Sequence, residues 1–439
     1  MLADISHIGR DPATDGYVRD AWSSADLELR EWFRQEAARR GLDLHEDRNG
    51  NLWAWWGDPD REPGVVTGSH LDSVRQGGAF DGPLGIVSSF AALDLLKSRG
   101  FTPAKPLGIA CFTDEEGARF GVPCMGSRLI TGILDPGRAL GLRDDAGDTL
   151  ADVLTKAGRD PNSLGRDDET LRRVGVFVEL HVEQGQGLVH LGEPVGVASA
   201  IWPHGRWRFD FHGQANHAGT TRLLDRDDPM LPYARTVLAA REIAERHGVV
   251  ATFGKLRVSP NNANAIPGLV SAWLDARGAA EAPVKALVAE LTAMSGAQVS
   301  PESWTPVVTF EEHLRDRIAA AGGSRPAQDD ARAGSAGAGS ARAGSAGAGG
   351  ARLGVAKSGD ASTGGASTGG AMADGRPLPA LATGAGHDAG ILAGAGIPAA
   401  MLFVRNLTGI SHSPEEHAEQ ADCEAGVRAL ANVLEDLCH

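Results

Sequence analysis

The sequence is poor in cysteine and in long apolar runs. Its 439 residues include four cysteines, and these show no CxxC spacing: Cys111, Cys124, Cys423 and Cys438. This sparse pattern favours free thiols in a reducing cytosol over a disulfide framework. No apolar run approaches the length of a membrane span. The first residues also lack the basic and then apolar pattern of a secretory signal. We therefore expect a cytoplasmic protein that does not contact a membrane.

Positive charge is also scarce, because 42 Lys and Arg residues face 57 Asp and Glu residues for a net charge of −15. Binding to a phosphate backbone requires a basic face, so nucleic acid is not an expected partner. Several catalytic motifs are missing as well, namely GxSxG, the P-loop GK[ST] and HExxH. The repeats around GAGAGG follow no strand and therefore do not predict a dinucleotide site. These absences exclude several common enzyme classes.

Apolar segments alternate with helical patterns in the first half of the chain. We predict strands at residues 65–68, 107–112 and 174–180, and a helix at residues 83–97 between the first two. Strands that alternate with helices predict an α/β sheet covered on both faces. Ligands of such sheets bind at the carboxyl ends of the strands.

The pattern changes after residue 204, where Trp207, Phe209 and Phe211 alternate with polar residues as in a half-buried strand. Helices are predicted at residues 231–247 and 284–294. Residues 205–304 are therefore predicted to form a smaller domain inserted into a catalytic α/β domain made of residues 1–204, 305–320 and 376–439. Gly, Ala and Ser repeats fill residues 321–375, which we expect to form a flexible insertion without a catalytic role. A last helix is predicted to open within SHSPEEHAE and to end near Leu437.

Candidate metal ligands follow the predicted strands. One Asp, one Glu and three His match the ligand count of two metal ions that share a bridging carboxylate: His70, Asp81, Glu116, His181 and His412. Each of them taken alone fits an ordinary polar residue at a strand end better than a ligand. Their coincidence in one chain favours a metal site.

Three further residues accompany these candidates. The carboxylate of Asp72 is placed to accept the second ring N–H of His70. Glu115 and Glu116 are adjacent and point in different directions, so one of them can bind metal while the other stays free as a general base. His387, within GAGHDAG, either packs locally in a glycine-rich turn or belongs to a loop near the metals.

Eight segments, in this order, resemble the amidase branch of the M20 metallopeptidase superfamily: GSHLDSV, GGAFDGPLG, TDEEGARFG, ELHVEQG, GQANHAGTT, NAIPG with LDAR, GAGHDAG and GISHSPEE. This branch contains allantoate amidohydrolases, N-carbamoyl-L-amino acid hydrolases and β-ureidopropionases. The resemblance covers nearly the whole chain except residues 321–375. It implies a catalytic α/β domain and a smaller α+β lid and dimerisation domain, a four-stranded antiparallel sheet with two helices.

The resemblance also implies roles for individual residues. His70 and His181 would hold one divalent metal, Glu116 and His412 the other, and Asp81 would bridge them. Glu115 would be the general base, with Asp72 and His387 behind the ligands. The implied ions are Zn²⁺ or Mn²⁺, and Co²⁺ and Ni²⁺ also suit such a site. The resemblance further implies a cis peptide bond between Asp81 and Gly82.

Four substrate positions follow from the same motifs: Gln184, His217, Asn264 and Arg277. Arg277 offers a planar fork for a substrate carboxylate, and His217 would polarise the scissile carbonyl as a catalytic residue. Because the smaller domain also forms the family's dimer interface, the last three would act on the partner's metals in a homodimer.

The expected substrate is a small ureido acid, with allantoate favoured over an N-carbamoyl-L-amino acid. The preference rests on FVRNLTG, where Arg405 and Asn406 replace the Val-Pro pattern of carbamoylases. The chain also departs from the branch at Arg222 and Leu223. An aminoacylase or dipeptidase is an alternative function. His181 argues against it, because peptidase relatives carry an acidic residue at this position. A catalytically inactive binding protein is a second alternative. The intact set of metal ligands argues against this function.

Overall fold

The computed structural model describes residues 1–323 and 375–439, and within them fifteen strands. In chain order the strands are β1 Asp43–Glu46, β2 Leu52–Trp56, β3 Gly64–His70, β4 Leu107–Phe112, β5 Val174–Val182, β6 Val195–Ile201, β7 His204–His212, β8 Asn216–His217, β9 Val250–Ser259, β10 Ala265–Ile266, β11 Leu269–Arg277, β12 Gln298–Thr305, β13 Val308–Thr309, β14 Ala380–Thr383 and β15 Ala399–Val404.

The helices lie between these strands in the expected alternation. They are α1 Ser24–Arg39, α2 Pro83–Ser98, α3 Met125–Ile130, α4 Pro136–Leu140, α5 Leu150–Lys156, α6 Asp168–Leu171, α7 Gly187–Leu191, α8 Met230–His247, α9 Glu281–Ser295, α10 Glu312–Gly323, α11 Asp388–Gly394 and α12 Gln420–Leu437. The strand and helix predictions before residue 113 are confirmed to within two residues.

Nine of the described strands form a large mixed sheet in the order β1-β2-β4-β3-β5-β15-β6-β13, with β14 paired to β6. Strands β4, β3, β5 and β15 are neighbours and run parallel to one another. Their carboxyl ends therefore meet at one edge of the sheet. Every residue of β3 and β4 is buried, as expected for strands covered on both faces.

Two apolar clusters cover the two faces of this sheet. Consecutive residues of a strand point to opposite faces, so Val65 joins the cluster beneath α2 and α12. Val66 joins the cluster on the other face, with Phe112, Phe177 and Phe403. This double covering holds the ligand-bearing strand ends in a rigid frame.

A separate antiparallel sheet follows β6, in the order β12-β7-β11-β9. The buried rings of Phe209 and Phe211 lie in a third apolar cluster together with Ile243 of α8 and Leu287 of α9. This four-stranded sheet with two helices confirms the predicted fold class. The predicted domain boundaries stay predictions.

Three details differ from the sequence predictions. Strand β5 continues to Val182, so His181 lies inside the strand and not beyond it. Helix α10 continues to Gly323, three residues into the segment expected to be an insertion; residues 324–374 of that segment lie outside the described residues. Helix α12 begins at Gln420, because the preceding SHSPEE segment bends back toward the sheet.

All four cysteines are free, as predicted. Among residues 1–323 and 375–439, no helix has both the length and the apolar character that crossing a membrane requires.

Candidate metal centre

The five predicted ligands come together at the carboxyl edge of the parallel strands. His70 is the last residue of β3, and His181 lies near the end of the neighbouring β5. Glu116 and His412 lie on the loops that follow β4 and β15. Asp81 lies on the loop between β3 and α2. The centre is thus built by one loop or strand end from each parallel strand.

Asp81 lies between two groups of ligands. Its Oδ1 is 3.7 Å from His70 Nε2 and 3.2 Å from His181 Nε2. Its Oδ2 is 3.4 Å from His412 Nε2, which in turn is 3.5 Å from Glu116 Oε2. Each carboxylate oxygen therefore faces a different pair of ligands, which is the arrangement of a bridging carboxylate.

The two buried histidines test whether these residues fit metal ions. Nδ1 of His70 lies 3.1 Å from the carbonyl oxygen of Asp72, and Nδ1 of His181 lies 2.9 Å from that of Val182. A carbonyl oxygen only accepts hydrogen bonds, so Nδ1 carries the proton and Nε2 presents a lone pair. Both Nε2 atoms are buried without a hydrogen-bond partner among the described residues. Metal ligation satisfies such atoms, and the residues present fit two divalent ions.

The expectation for Asp72 is corrected in one respect. Its backbone carbonyl accepts the ring N–H of His70, whereas its carboxylate lies 3.6 Å from Nδ1. The carboxylate accepts the backbone N–H groups of Glu115 and Glu116 at 3.1 and 3.0 Å. Asp72 therefore fixes two adjacent acids as well as one histidine.

The peptide bond between Asp81 and Gly82 is trans, so the expectation of a cis bond is wrong; the described residues have a cis bond at Ser259–Pro260. The chain turns instead through the positive φ of 83° at Gly82. A side chain at Gly82 would lie 2.3 Å from the His70 ring. Gly82 thus allows the loop to pass directly over the ligand.

Glu115 is buried at the centre and faces the candidate cavity. Its Oε2 lies 3.7 Å from His70 Nε2, and its Oε1 lies 3.2 Å from the thiol of Cys124. Burial raises the pKa of Glu115 well above its usual range, as it raises that of Glu116 to about 7. A carboxyl group with a raised pKa beside a cavity suits proton transfer near neutral pH.

The cavity beside the ligands has a volume of about 330 Å³, in the range of small-molecule sites. Gln184 lines it and donates from Nε2 to Asp81 Oδ2 at 2.8 Å. Arg277, at the end of β11, also lines the cavity. Arg128 and His204 also line the cavity. Neither lies in one of the recognised motifs, so neither was predicted from the sequence.

His217 and Asn264 are not brought to this cavity. They lie together on the smaller domain, where β8 pairs with β10 and Ala218 N donates to Asn264 O at 3.0 Å. Both residues are exposed. Of the four predicted substrate residues, the described chain therefore assembles Gln184 and Arg277 with its own ligands and leaves the other two facing outward.

His387 lies beside the centre, with its ring 4.5 Å from that of His181. It is buried and lines the cavity, which supports the alternative that placed its loop near the metals. Burial holds the pKa of His387 well below its usual range, so the ring is neutral.

Arg405 and Asn406, the basis of the substrate preference, do not line the cavity. Arg405 forms a bidentate ion pair with Asp422 at 2.9 Å for both contacts. Asn406 is fully buried and bonds to Thr408, Gly409 and Ile410. These two residues shape the loop that leads to His412, so they do not mark the substrate directly.

Comparison with known proteins shows which family this chain belongs to. The model of the peptidase family M20/M25/M40 matches residues 66–362 and 366–436. An N-carbamoyl-L-amino acid amidohydrolase of Geobacillus stearothermophilus is 31% identical over 99% of this chain and 96% of its own length. The allantoate amidohydrolase of Escherichia coli is 28% identical over 99% of this chain and 95% of its own.

A solved structure agrees with these relatives. The crystal structure of an amidase of the hydantoinase/carbamoylase family from Burkholderia vietnamiensis superposes with a TM-score of 0.80 at 27% identity, covering 100% of this chain and 96% of that one. The fold and the ligand set thus define a metal-dependent hydrolase. The chain belongs to the peptidase family M20/M25/M40, within its amidohydrolase branch.

Proposed function

We propose that the protein is a dinuclear-metal amidohydrolase that cleaves a ureido C–N bond in a substrate bearing a carboxylate. The observation that carries the proposal is the position of Asp81, whose two oxygens face separate ligand pairs beside the buried Glu115. His70 and His181 would hold one ion, and Glu116 and His412 the other. Two bound divalent ions supply a Lewis acid and lower the pKa of water.

Glu115 moves the proton in this proposal. Its carboxylate takes a proton from the attacking water and returns it to the leaving nitrogen. Burial raises the pKa of Glu115 above that of an ordinary carboxyl group, which strengthens it as the base that takes the proton from water. Hydrolysis of a terminal ureido group consumes one water and releases ammonia and carbon dioxide, leaving an amine on the substrate.

Arg277, which lines the same cavity as the ligands, would bind the substrate carboxylate. Gln184 would orient the ureido group, since it already donates to Asp81 at the mouth of the centre. The outward-facing His217 and Asn264 would complete the centre of a second subunit in a homodimer formed through the smaller domain.

Allantoate is the favoured substrate, with ureidoglycine, ammonia and carbon dioxide as products. It carries one carboxylate and two ureido groups, and the cavity lining includes further polar side chains that could bind a second ureido group, namely Arg128, His204 and Thr305. An allantoate amidohydrolase is among the relatives at 28% identity. The second candidate is an N-carbamoyl-L-amino acid, supported by the relative at 31% identity.

Ammonia release from the Mn²⁺-loaded protein, measured side by side with allantoate and several N-carbamoyl-L-amino acids, tests this proposal. Turnover of allantoate alone is the expected result. Turnover of carbamoyl amino acids alone would keep the chemistry and overturn the substrate. No ammonia release from either substrate by a protein with two bound ions would contradict the proposed reaction.

A further inference from the structure

Glu416 lies in the loop between His412 and α12 and is 4% exposed. Its Oε2 accepts the backbone N–H groups of Phe80 and Asp81 at 3.0 and 2.9 Å. Its Oε1 accepts the hydroxyl of Ser411 at 3.0 Å. One carboxylate therefore joins the loop that carries Asp81 to the loop that carries His412.

The loop before Asp81 is shaped around this carboxylate. A Cβ atom at Gly78 would lie 2.3 Å from Glu416 Oε2 and 2.4 Å from its Cβ. Separations below 3.0 Å require one of the two groups to move. Gly78 is therefore the position at which the loop closes onto Glu416, and a larger residue there would push the two loops apart.

Ser411 extends the connection to the bridging carboxylate itself. Its Oγ lies 3.2 Å from Asp81 Oδ2, the oxygen that also accepts Gln184 Nε2 at 2.8 Å. The backbone of Asp81 is thus fixed by Glu416, and its side chain is fixed by Ser411 and Gln184. A bridging ligand held at both ends keeps a constant separation from His412.

We infer that Glu416 is a positioning residue for the dinuclear centre: it fixes Asp81 relative to His412 and thereby sets the affinity for the metal ions. The inference rests on the proposed function, because it requires that Asp81 and His412 bind metal. Groups that support metal ligands typically change metal affinity 10–100-fold when they are removed. A carboxylate that accepts two backbone N–H groups also leaves both unpaired when it is lost.

Mn²⁺ binding to the metal-free protein, followed by calorimetry, tests the inference without any substrate. We expect Glu416→Ala to bind at least one of the two ions about 10–100-fold more weakly than the wild type. Glu416→Gln keeps an acceptor without the charge and should lose about threefold. The matched control is Glu415→Ala, since Glu415 is exposed and contacts Ser413; its Mn²⁺ affinity should equal that of the wild type.

Thermal unfolding of the metal-free variants separates positioning from a merely structural role. A lower melting temperature of Glu416→Ala with unchanged Mn²⁺ affinity would overturn the inference. If the alanine variant does not fold, Glu416→Gln is used for the same measurement. A Mn²⁺ affinity of Glu416→Gln equal to that of the wild type would likewise overturn the inference. A wild-type protein that binds fewer than two ions would overturn the proposed function itself, which distinguishes the two failures.

Discussion

Arg277 and Asp275, two residues apart on β11, form a bidentate ion pair with Nε–Oδ1 at 2.6 Å and Nη2–Oδ2 at 3.0 Å. Nη1 of Arg277 donates to the carbonyl of Gly384 at 2.9 Å. The guanidinium is thus held in one orientation at the cavity wall. A cation fixed in this way loses little conformational entropy when it binds a substrate carboxylate.

Replacing Arg277 with alanine should raise KM for acid substrates about 10–100-fold, because a hydrogen bond to a charged group contributes about 1.5–3 kcal/mol. Steady-state kinetics measures the effect. Arg277→Lys should fall in between, since lysine keeps the charge without the fork. The control is Arg241→Ala, whose arginine is exposed on α8 and pairs with Glu245. An unchanged KM in Arg277→Ala would refute the carboxylate site.

Glu115→Gln should keep both metal ions and lose kcat by about 10²–10⁴-fold, because the amide cannot take a proton from water. Metal content by mass spectrometry and single-turnover rates measure the two quantities separately. If Glu115→Gln turns over substrate at the wild-type rate, Glu115 is not the general base. Loss of a metal ion would instead indicate that Glu115 is a metal ligand. This outcome is checked because Glu115 Oε2 lies only 3.7 Å from His70 Nε2.

His217 should act on the metal centre of the neighbouring subunit. We expect the His217→Ala and Glu115→Gln variants each to be inactive alone. When equal amounts are unfolded together and refolded, half of the dimers contain one subunit of each variant, and one of the two sites in such a dimer is intact. The mixture should therefore regain about a quarter of the wild-type rate. Refolding each variant alone is the control. If the mixture stays inactive, His217 belongs to its own subunit's site or to none.

Arg405→Ala should destabilise the fold by about 3–5 kcal/mol, because it leaves Asp422 buried without its partner; the Asp422 side chain is 2% exposed. The ratio of kcat/KM for allantoate and carbamoyl amino acids should not change. Urea unfolding measures the first effect. Arg317→Ala is the control, since its pair with Asp436 is 43% exposed on both sides and contributes about 0–1 kcal/mol. A changed substrate ratio would restore Arg405 as a substrate marker.

His204 should make the fold sensitive to acid. Burial lowers its pKa from 6.5 to about 4, so the unfolded chain binds this proton more readily than the folded one. The contribution of neutral His204 is therefore complete above about pH 6.5 and is lost as the pH falls toward 4, by on the order of 3 kcal/mol. Urea unfolding of metal-free wild type and His204→Gln at several pH values measures the difference between them. A difference that is independent of pH would contradict the prediction.

The sequence was most informative about ligands that lie at or just beyond the end of a strand. His70 and the acids after Phe112 come directly after short apolar runs, so the carboxyl edge of a parallel sheet was the expected meeting point. The order of the strands was not predictable, because pairing between distant segments leaves no periodic pattern. The resemblance to one family supplied the roles that spacing alone left open.

Glu416 shows what could not be read from the sequence. Glu415 and Glu416 are adjacent and chemically identical, yet Glu415 is exposed whereas Glu416 is buried, with 4% of its surface exposed. Their difference arises from a contact with Asp81 that spans 335 positions of the chain. The ion pair between Arg405 and Asp422 was hidden in the same way, since the two residues become neighbours only after folding.

That separation has a consequence for synthesis of the protein. A ribosome that adds about 5–20 residues per second needs on the order of 20–70 s to proceed from Asp81 to Glu416. The nascent chain carries His70 and Asp81 from the start of this interval and gains His181 during it, but His412 and the carboxylate that fixes the loop are added only at its end. On the proposed ligand set, a nascent chain shorter than 416 residues therefore lacks the residue that positions Asp81, and the complete metal site can form only after Glu416 has been added.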